Sequence, residues 1–116
     1  MIQIGKHTLN MNVILAPMSG VTDMPFRRLV KSLGSGLVVS EMIASQAMIR
    51  STRQSLKMAE KSPDEYPMSV QLAGCEPSVM AEAAKLQEGN GAAIIDINFG
   101  CPVRKVVGQL AGSALM

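Results

Sequence analysis

The sequence predicts an α/β fold built on a parallel sheet and preceded by a small β-hairpin. Three observations predict it. Unbroken apolar runs recur along the chain, the pattern of strands covered on both faces. Amphipathic or helix-capable stretches separate them, at a repeat of roughly 25–30 residues. Gly, Pro, Ser, Asn or Asp clusters mark the junctions.

The segment Ile2–Met11 alternates loosely around Gly5-Lys6 and reads as the hairpin, residues 1–11. Val13-Ile14-Leu15-Ala16-Pro17-Met18 is the first apolar run and is expected to be a strand buried on both faces. Ser19-Gly20-Val21-Thr22-Asp23 is turn chemistry, in which Thr22 or Asp23 can cap a helix and Pro25 is tolerated in its first turn. Phe26, Leu29, Val30 and Leu33 follow at i, i+3, i+4 and i+7 and are expected to share the buried face. Gly34 and Gly36 end that helix.

Leu37–Met42 is the second strand, and one helix is expected over residues 45–61, stopped by Ser62-Pro63-Asp64. Pro67–Leu72 is the third strand. Pro77 opens a helix whose buried side is expected to be Val79, Met80, Ala83, Ala84 and Leu86, and Gly89-Asn90-Gly91 stops it. Ala92–Asn98 is the fourth strand. Residues 103–116 are ambiguous between loop and helix. Two architectures fit this order: an open doubly wound sheet, or a (β/α)₈ barrel of which these 116 residues are about half, since a full barrel takes roughly 250.

Composition narrows the class. Hydrophobic residues make up 47% of the chain and charged ones 17%, which fits a buried core and excludes a disordered chain. Ten methionines and three aromatic residues mean that Met does much of the packing. A formal charge of +2 is too small to mark a dedicated nucleic-acid-binding domain. Cys75 and Cys101 are too far apart for a CxxC motif, and a reduced, cytoplasmic chain is expected. No basic stretch followed by a long apolar run opens the sequence, so no secretory leader is expected, and no apolar run is long enough to span a bilayer.

The polar, Gly, Pro and Cys residues cluster just after each apolar run: Ala16-Pro17-Met18, Ser40-Glu41-Met42, Gln71-Leu72-Ala73-Gly74 and Asn98-Phe99-Gly100-Cys101-Pro102. In parallel strands these positions share the carboxyl end of the sheet, where α/β folds place ligands. No GxGxxG or GxxxxGK[ST] loop is present. His7, the single histidine, lies in the hairpin and is expected at the surface, so neither a metal site nor a Ser-His-Asp triad assembles. Gly100 allows close backbone approach and Pro102 biases Cys101 to an extended conformation. An ordinary cysteine thiol, with a pKa of about 8.5, is mostly protonated at neutral pH and can serve as a general acid. A small buried apolar role for Cys101 is the competing reading.

Ala16-Pro17-Met18, Val21-Thr22-Asp23, Phe26-Arg27, Glu41-Met42, Gln71-Leu72-Ala73-Gly74 and Asp96-Ile97-Asn98-Phe99-Gly100-Cys101-Pro102-Val103-Arg104-Lys105-Val106 together resemble the tRNA-dihydrouridine synthases, nearest the bacterial DusB-type branch. The resemblance covers nearly the whole chain. It implies that residues 1–116 are the N-terminal half of an FMN-binding TIM (β/α)₈ barrel, roughly its first four βα units. It implies reduction of uridine to 5,6-dihydrouridine in tRNA with NADPH as electron donor and no metal. Within it, Ala16, Pro17, Met18 and Gln71 would face the flavin, Asn98 the uracil or the flavin, and Cys101 would donate the proton. Arg104 and Lys105 would meet the tRNA backbone, or else form a solvated surface pair. Glu41 reads as an anchor for a neighbouring loop, Asp23 as a helix cap. Cys75 has no place in the pattern and is expected to be buried. The family's remaining flavin contacts and FMN-phosphate site would fall beyond Met116. Two rivals remain: another FMN barrel oxidoreductase, such as a dihydroorotate dehydrogenase-like enzyme, and an inactive α/β fragment whose open sheet edges favour association.

Overall fold

The structure, a computed structural model, describes residues 1–116. β1 (Gln3–Ile4) and β2 (His7–Thr8) form the expected antiparallel hairpin, pairing Gln3 with Thr8 and Ile4 with His7. Gly5 turns it at φ 56°, a conformation costly for any residue with a Cβ. His7 is half-buried and meets Tyr66 edge to face at 5.9 Å.

The expected first strand is reduced to a single parallel bridge, Ile14 to Leu37, flanked by the Gly36 N–H to Val13 O and Leu15 N–H to Leu37 O bonds. Val13 and Ile14 are exposed, so this run is not covered on both faces. It lies at the sheet's edge with a neighbour on one side only, and one side of pairing leaves the ladder short.

α1 (Met24–Ser32) starts where the sequence places it: Asp23 accepts the Phe26 N–H at 3.1 Å, and Pro25 sits in the first turn. Its buried face differs from the expected one. Leu29 and Leu33 point outward, Leu33 at 78% exposure, while Arg27 is closed to solvent. Apolar spacing misidentified the face because Arg27 is held by a buried carboxylate and two carbonyls, which makes burying a guanidinium affordable.

The second strand is interrupted. β3 (Val38–Val39) and β4 (Ile43–Ala44) both pair in parallel with the same edge of β5 (Met68–Ala73). Val39 faces Ser69 and Ile43 faces Leu72, so four steps on one strand match three on the other. The surplus residue makes a bulge over Ser40–Met42. Where the bulge breaks the ladder, the Ser40 hydroxyl accepts the Gln71 N–H at 3.1 Å.

The expected long helix is two: α2 (Ser45–Ile49) and α3 (Arg53–Met58). Ser51 takes φ 51° between them, and Thr52 caps α3 by accepting the Ser55 N–H at 3.1 Å. Cap chemistry at Thr52 outweighs helix continuity there. A 3₁₀ turn at Pro63–Glu65 leads into β5.

β5 is buried along its whole length. α4 (Pro77–Gly89) follows, and β6 (Ile94–Ile97) pairs with β5 in parallel, Gln71 opposite Asp96 and Leu72 opposite Ile97. In α4, Ala83 and Gln87 are the buried residues while Leu86 is exposed, another departure from apolar spacing. Gln87 is retained inside because Lys61 Nζ donates to its Oε1 at 2.9 Å and its Nε2 donates to Met48 Sδ at 2.8 Å. Val38, Ile43, Met48, Met68, Val70, Leu72 and Ala83 form the core between the sheet and its helices. Each fully buried Val, Leu, Ile or Met contributes about 1.5–3 kcal/mol. Residues 103–116 resolve into α5 (Arg104–Val107) and a 3₁₀ turn at Gly112–Leu115.

The sheet thus runs Ile14 segment, β3/β4, β5, β6, with parallel pairings throughout and neighbours in sequence order. The core of Met68, Val70 and Leu72 occupies the helix side of β5, and Ser69 and Gln71 alternate onto the other face. No helix is long and apolar enough to cross a membrane.

Candidate active site

Parallel pairing places the four polar clusters at one end of the sheet. At the first, Thr22 is fully buried and folds the loop back: its hydroxyl accepts the Met18 N–H at 3.1 Å and donates to Met18 O at 3.2 Å. Both backbone polar groups of Met18 are therefore occupied. Ala16, exposed beside it, has no backbone partner for its N–H or C=O. The Met18 side chain is 41% exposed and Pro17 is half-buried.

At the second cluster the bulge frees Glu41 from the ladder, and its carboxylate accepts the Gly20 N–H. Glu41 is buried and does anchor the neighbouring loop.

The third and fourth clusters are joined by side chains. Gln71, only 7% exposed, donates from Nε2 to Asp96 Oδ2 at 2.6 Å. Its Oε1 accepts from Asn98 Nδ2 at 3.1 Å. Asn98 Oδ1 in turn accepts the Gly100 N–H at 3.2 Å and the Cys101 N–H at 3.1 Å. Asp96 and Asn98 stand two residues apart and so project to one face of β6 and its continuation. This hydrogen-bonded line fixes the Asn98–Cys101 turn to the third strand. Behind the turn, Gly112 lies at φ 60° against Cys101, whose carbonyl accepts the Ser113 N–H at 3.0 Å.

The structure therefore brings Gln71, Asn98 and Cys101 together and sets the Ala16–Met18 segment at the same end. Cys101 is a half-buried free thiol. Arg104 and Lys105 lie exposed on α5, and Lys105 borders a cavity of about 790 Å³ that is also lined by Gly20, Glu41, Gly74, Cys75 and Gln109. Arg104, Gln71, Asn98 and Cys101 are outside that lining. Cys75 is exposed, contrary to expectation, because the Gly74–Glu76 turn carries it out of the sheet onto the cavity wall. No cluster of three or more His, Cys, Asp or Glu residues is arranged to hold a metal ion.

Sequence reasoning set Ser40 in the second polar cluster and Asp96 in the family motif but gave neither a role. A signal for Asp96 was present: an acidic residue inside Ile94-Ile95-Asp96-Ile97 must find a partner if the strand is covered. For the role of Ser40 as acceptor of the Gln71 N–H no local signal exists, since a bulge depends on the partner strand.

The dihydrouridine synthase family model matches residues 14–116. The chain belongs to the dihydrouridine synthase family. Among its relatives, a probable tRNA-dihydrouridine synthase of Rickettsia conorii is 65% identical over all of this chain and 35% of its own length. That of Rickettsia bellii is 63% identical over all of this chain and 36% of its own. A tRNA-dihydrouridine synthase B of Xanthomonas campestris is 54% identical over 98% of this chain and 34% of its own. The chain spans about a third of the length of the curated relatives it matches.

Proposed function

We propose that this chain carries the uridine-reducing end of an FMN-dependent tRNA-dihydrouridine synthase, with Cys101 as the proton donor. The observation that carries the reading is the hydrogen-bonded line from Gln71 through Asn98 to the Cys101 backbone, in a chain of this family. In this reading residues 1–116 are the first part of a (β/α)₈ barrel. The parallel strands in sequential order support that arrangement over a doubly wound sheet, whose strand order would reverse.

The residues present fit a flavin. Ala16 keeps a free N–H and C=O, and Gln71 keeps one of its two Nε2 hydrogens and one Oε1 lone pair after its bonds to Asp96 and Asn98. A heterocycle edge with alternating donors and acceptors matches that set. Bound FMN, recharged by NADPH, supplies the hydride that adds to one carbon of the uracil 5,6 double bond.

The chain's own residues do the remainder. Asn98 has one Nδ2 hydrogen left and an Oδ1 already filled by two N–H groups, so it presents a donor to a pyrimidine carbonyl oxygen. The fixed turn holds the Cys101 thiol at a set position, and its S–H proton goes to the second carbon of the double bond. Water then reprotonates the thiolate. The target uridine must leave its stack to enter, and Arg104 and Lys105, exposed beyond the turn, face the tRNA phosphates. A cytoplasmic enzyme with tRNA as substrate follows from the same reading.

The test is Cys101→Ala in a protein of the relatives' length that carries this chain, assayed for dihydrouridine in tRNA with NADPH. We expect about a 10²-fold or larger loss of rate with flavin retained. An unchanged rate with flavin bound removes Cys101 from the chemistry. Reduction of a free pyrimidine in preference to tRNA would place the enzyme among other flavin barrels.

A further inference from the structure

We propose that Asp96 is a positioning residue: its carboxylate sets the orientation of both site amides and so decides what Asn98 offers to substrate. The inference rests on the function proposed above, because it concerns how the same site reads a pyrimidine.

A carboxamide has two nearly isosteric orientations that differ in which end donates. An ionised carboxylate only accepts. Asp96 Oδ2, at 2.6 Å from Gln71, therefore admits only the Nε2 end of that side chain. Gln71 Oε1 is then turned to Asn98, where only a donor satisfies it, and it receives Nδ2 at 3.1 Å. Asn98 Oδ1 is turned to the Gly100 and Cys101 N–H groups, which demand the same orientation from the other side. One fixed polarity at Asp96 passes through two amides and ends at the backbone of the thiol-bearing residue.

The alternative orientation of both amides is inconsistent with this. Reversing Gln71 would set its oxygen against the Asp96 carboxylate. Reversing Asn98 would set its NH₂ against two backbone N–H groups. Gln71 is buried, so water cannot readily repair either mismatch. The consequence for recognition is specific. Asn98 keeps a hydrogen to give and no lone pair free of the turn, which suits a carbonyl-bearing pyrimidine edge and opposes an amino-bearing one.

Competitive alkylation with iodoacetamide of a flavin-loaded protein of the relatives' length that carries this chain, without tRNA, tests the proposal. Cys75, exposed and outside the line, is an internal reference, and peptide mass spectrometry reads the Cys101/Cys75 labelling ratio. Asp96→Ala should raise that ratio about fivefold as the turn loosens. Asn98→Ala should raise it similarly, and the double variant should rise no further, because the residues act in one line. Asp96→Asn, which can still present an oxygen to Gln71 Nε2, should return the ratio to within about twofold of the parent. If Asp96→Ala does not fold, Gln71→Met removes both the donor to Asp96 and the acceptor for Asn98 and should give the same rise. An unchanged ratio in a folded variant, or effects of Asp96→Ala and Asn98→Ala that multiply as for independent destabilisation, overturns the proposal. Uridine reduction that survives Cys101→Ala would instead overturn the functional reading and leave the line of hydrogen bonds standing.

Discussion

Arg27 and Glu65 meet at 2.6 Å with both side chains closed to solvent, joining the first helix to the turn before the third strand across 37 intervening residues. Arg27 also donates to Thr22 O at 2.9 Å and to Glu60 O at 2.6 Å, and Glu65 accepts the Ser62 N–H at 2.7 Å. Thr22 is the residue that folds the Met18 loop, so this buried pair supports the site's first cluster from below.

Removing one partner strands the other. Arg27→Ala or Glu65→Ala should cost about 3–5 kcal/mol, while replacing both by apolar residues of similar volume should cost much less. Urea denaturation of the two single variants and of Arg27→Met combined with Glu65→Leu measures this. Equal losses in all three would mean that packing, not charge pairing, dominates there.

Ser40→Ala should destabilise by about 1–3 kcal/mol, because the Gln71 N–H loses its acceptor in a place water does not reach. Hydrogen exchange at the Gln71 amide is the local readout, and it should accelerate more than that of Val70.

Gly112→Ala adds a Cβ that would lie 2.6 Å from Cys101 O and 2.8 Å from Val106 Cγ1, at a φ of 60°. The backbone conformation alone costs about 1–2 kcal/mol. The clash adds to that and pushes on the thiol-bearing turn. The expected outcome is a lower melting temperature together with faster alkylation of Cys101 than of Cys75.

Lys61 has its pKa lowered, first by burial and then by the nearby Arg27 charge, with Glu65 opposing. A lowered folded-state pKa means that the unfolded chain binds its proton more tightly. Stability should therefore rise with pH through the window between the lowered value and the ordinary lysine range, as the folded-state penalty for the charge disappears. Lys61→Met should remove that rise, as read from urea midpoints taken at increasing pH below the ordinary lysine pKa of about 10.4. A rise of the same size in Lys61→Met would assign it to another group.

Strand order, the α1 cap and the polar clusters at one end of the sheet were legible because they depend on local pattern: apolar runs, Asp23 before Pro25, and Gly-Cys-Pro after Asn98. The buried faces of α1 and α4 were not. Their inner residues, Arg27 and Gln87, are polar and become inner only through partners on other elements. The division of residues 45–61 hung on Thr52 turning its hydroxyl onto Ser55, a local choice that helix propensity obscured. Within the site, Gln71, Asn98 and Cys101 were identifiable by type and place, whereas their link through Asp96 required knowing that Gln71 stands opposite Asp96.

The surplus residue between Val39 and Ile43 inverts the chain's parity. Val39 shares Ser69's side of the sheet and Ile43 shares Leu72's, although the two are an even number of residues apart. In an uninterrupted strand both would face the same way. Excising any one residue of Ser40–Met42 would leave three steps between Val39 and Ile43, matching Ser69 to Leu72, so Val38 and Ile43 would both stay in the core. What the excision would remove is the break in the ladder that lets Ser40 accept the Gln71 N–H and Glu41 reach Gly20. The extra residue therefore serves the ligand end of the sheet, and the core would close without it.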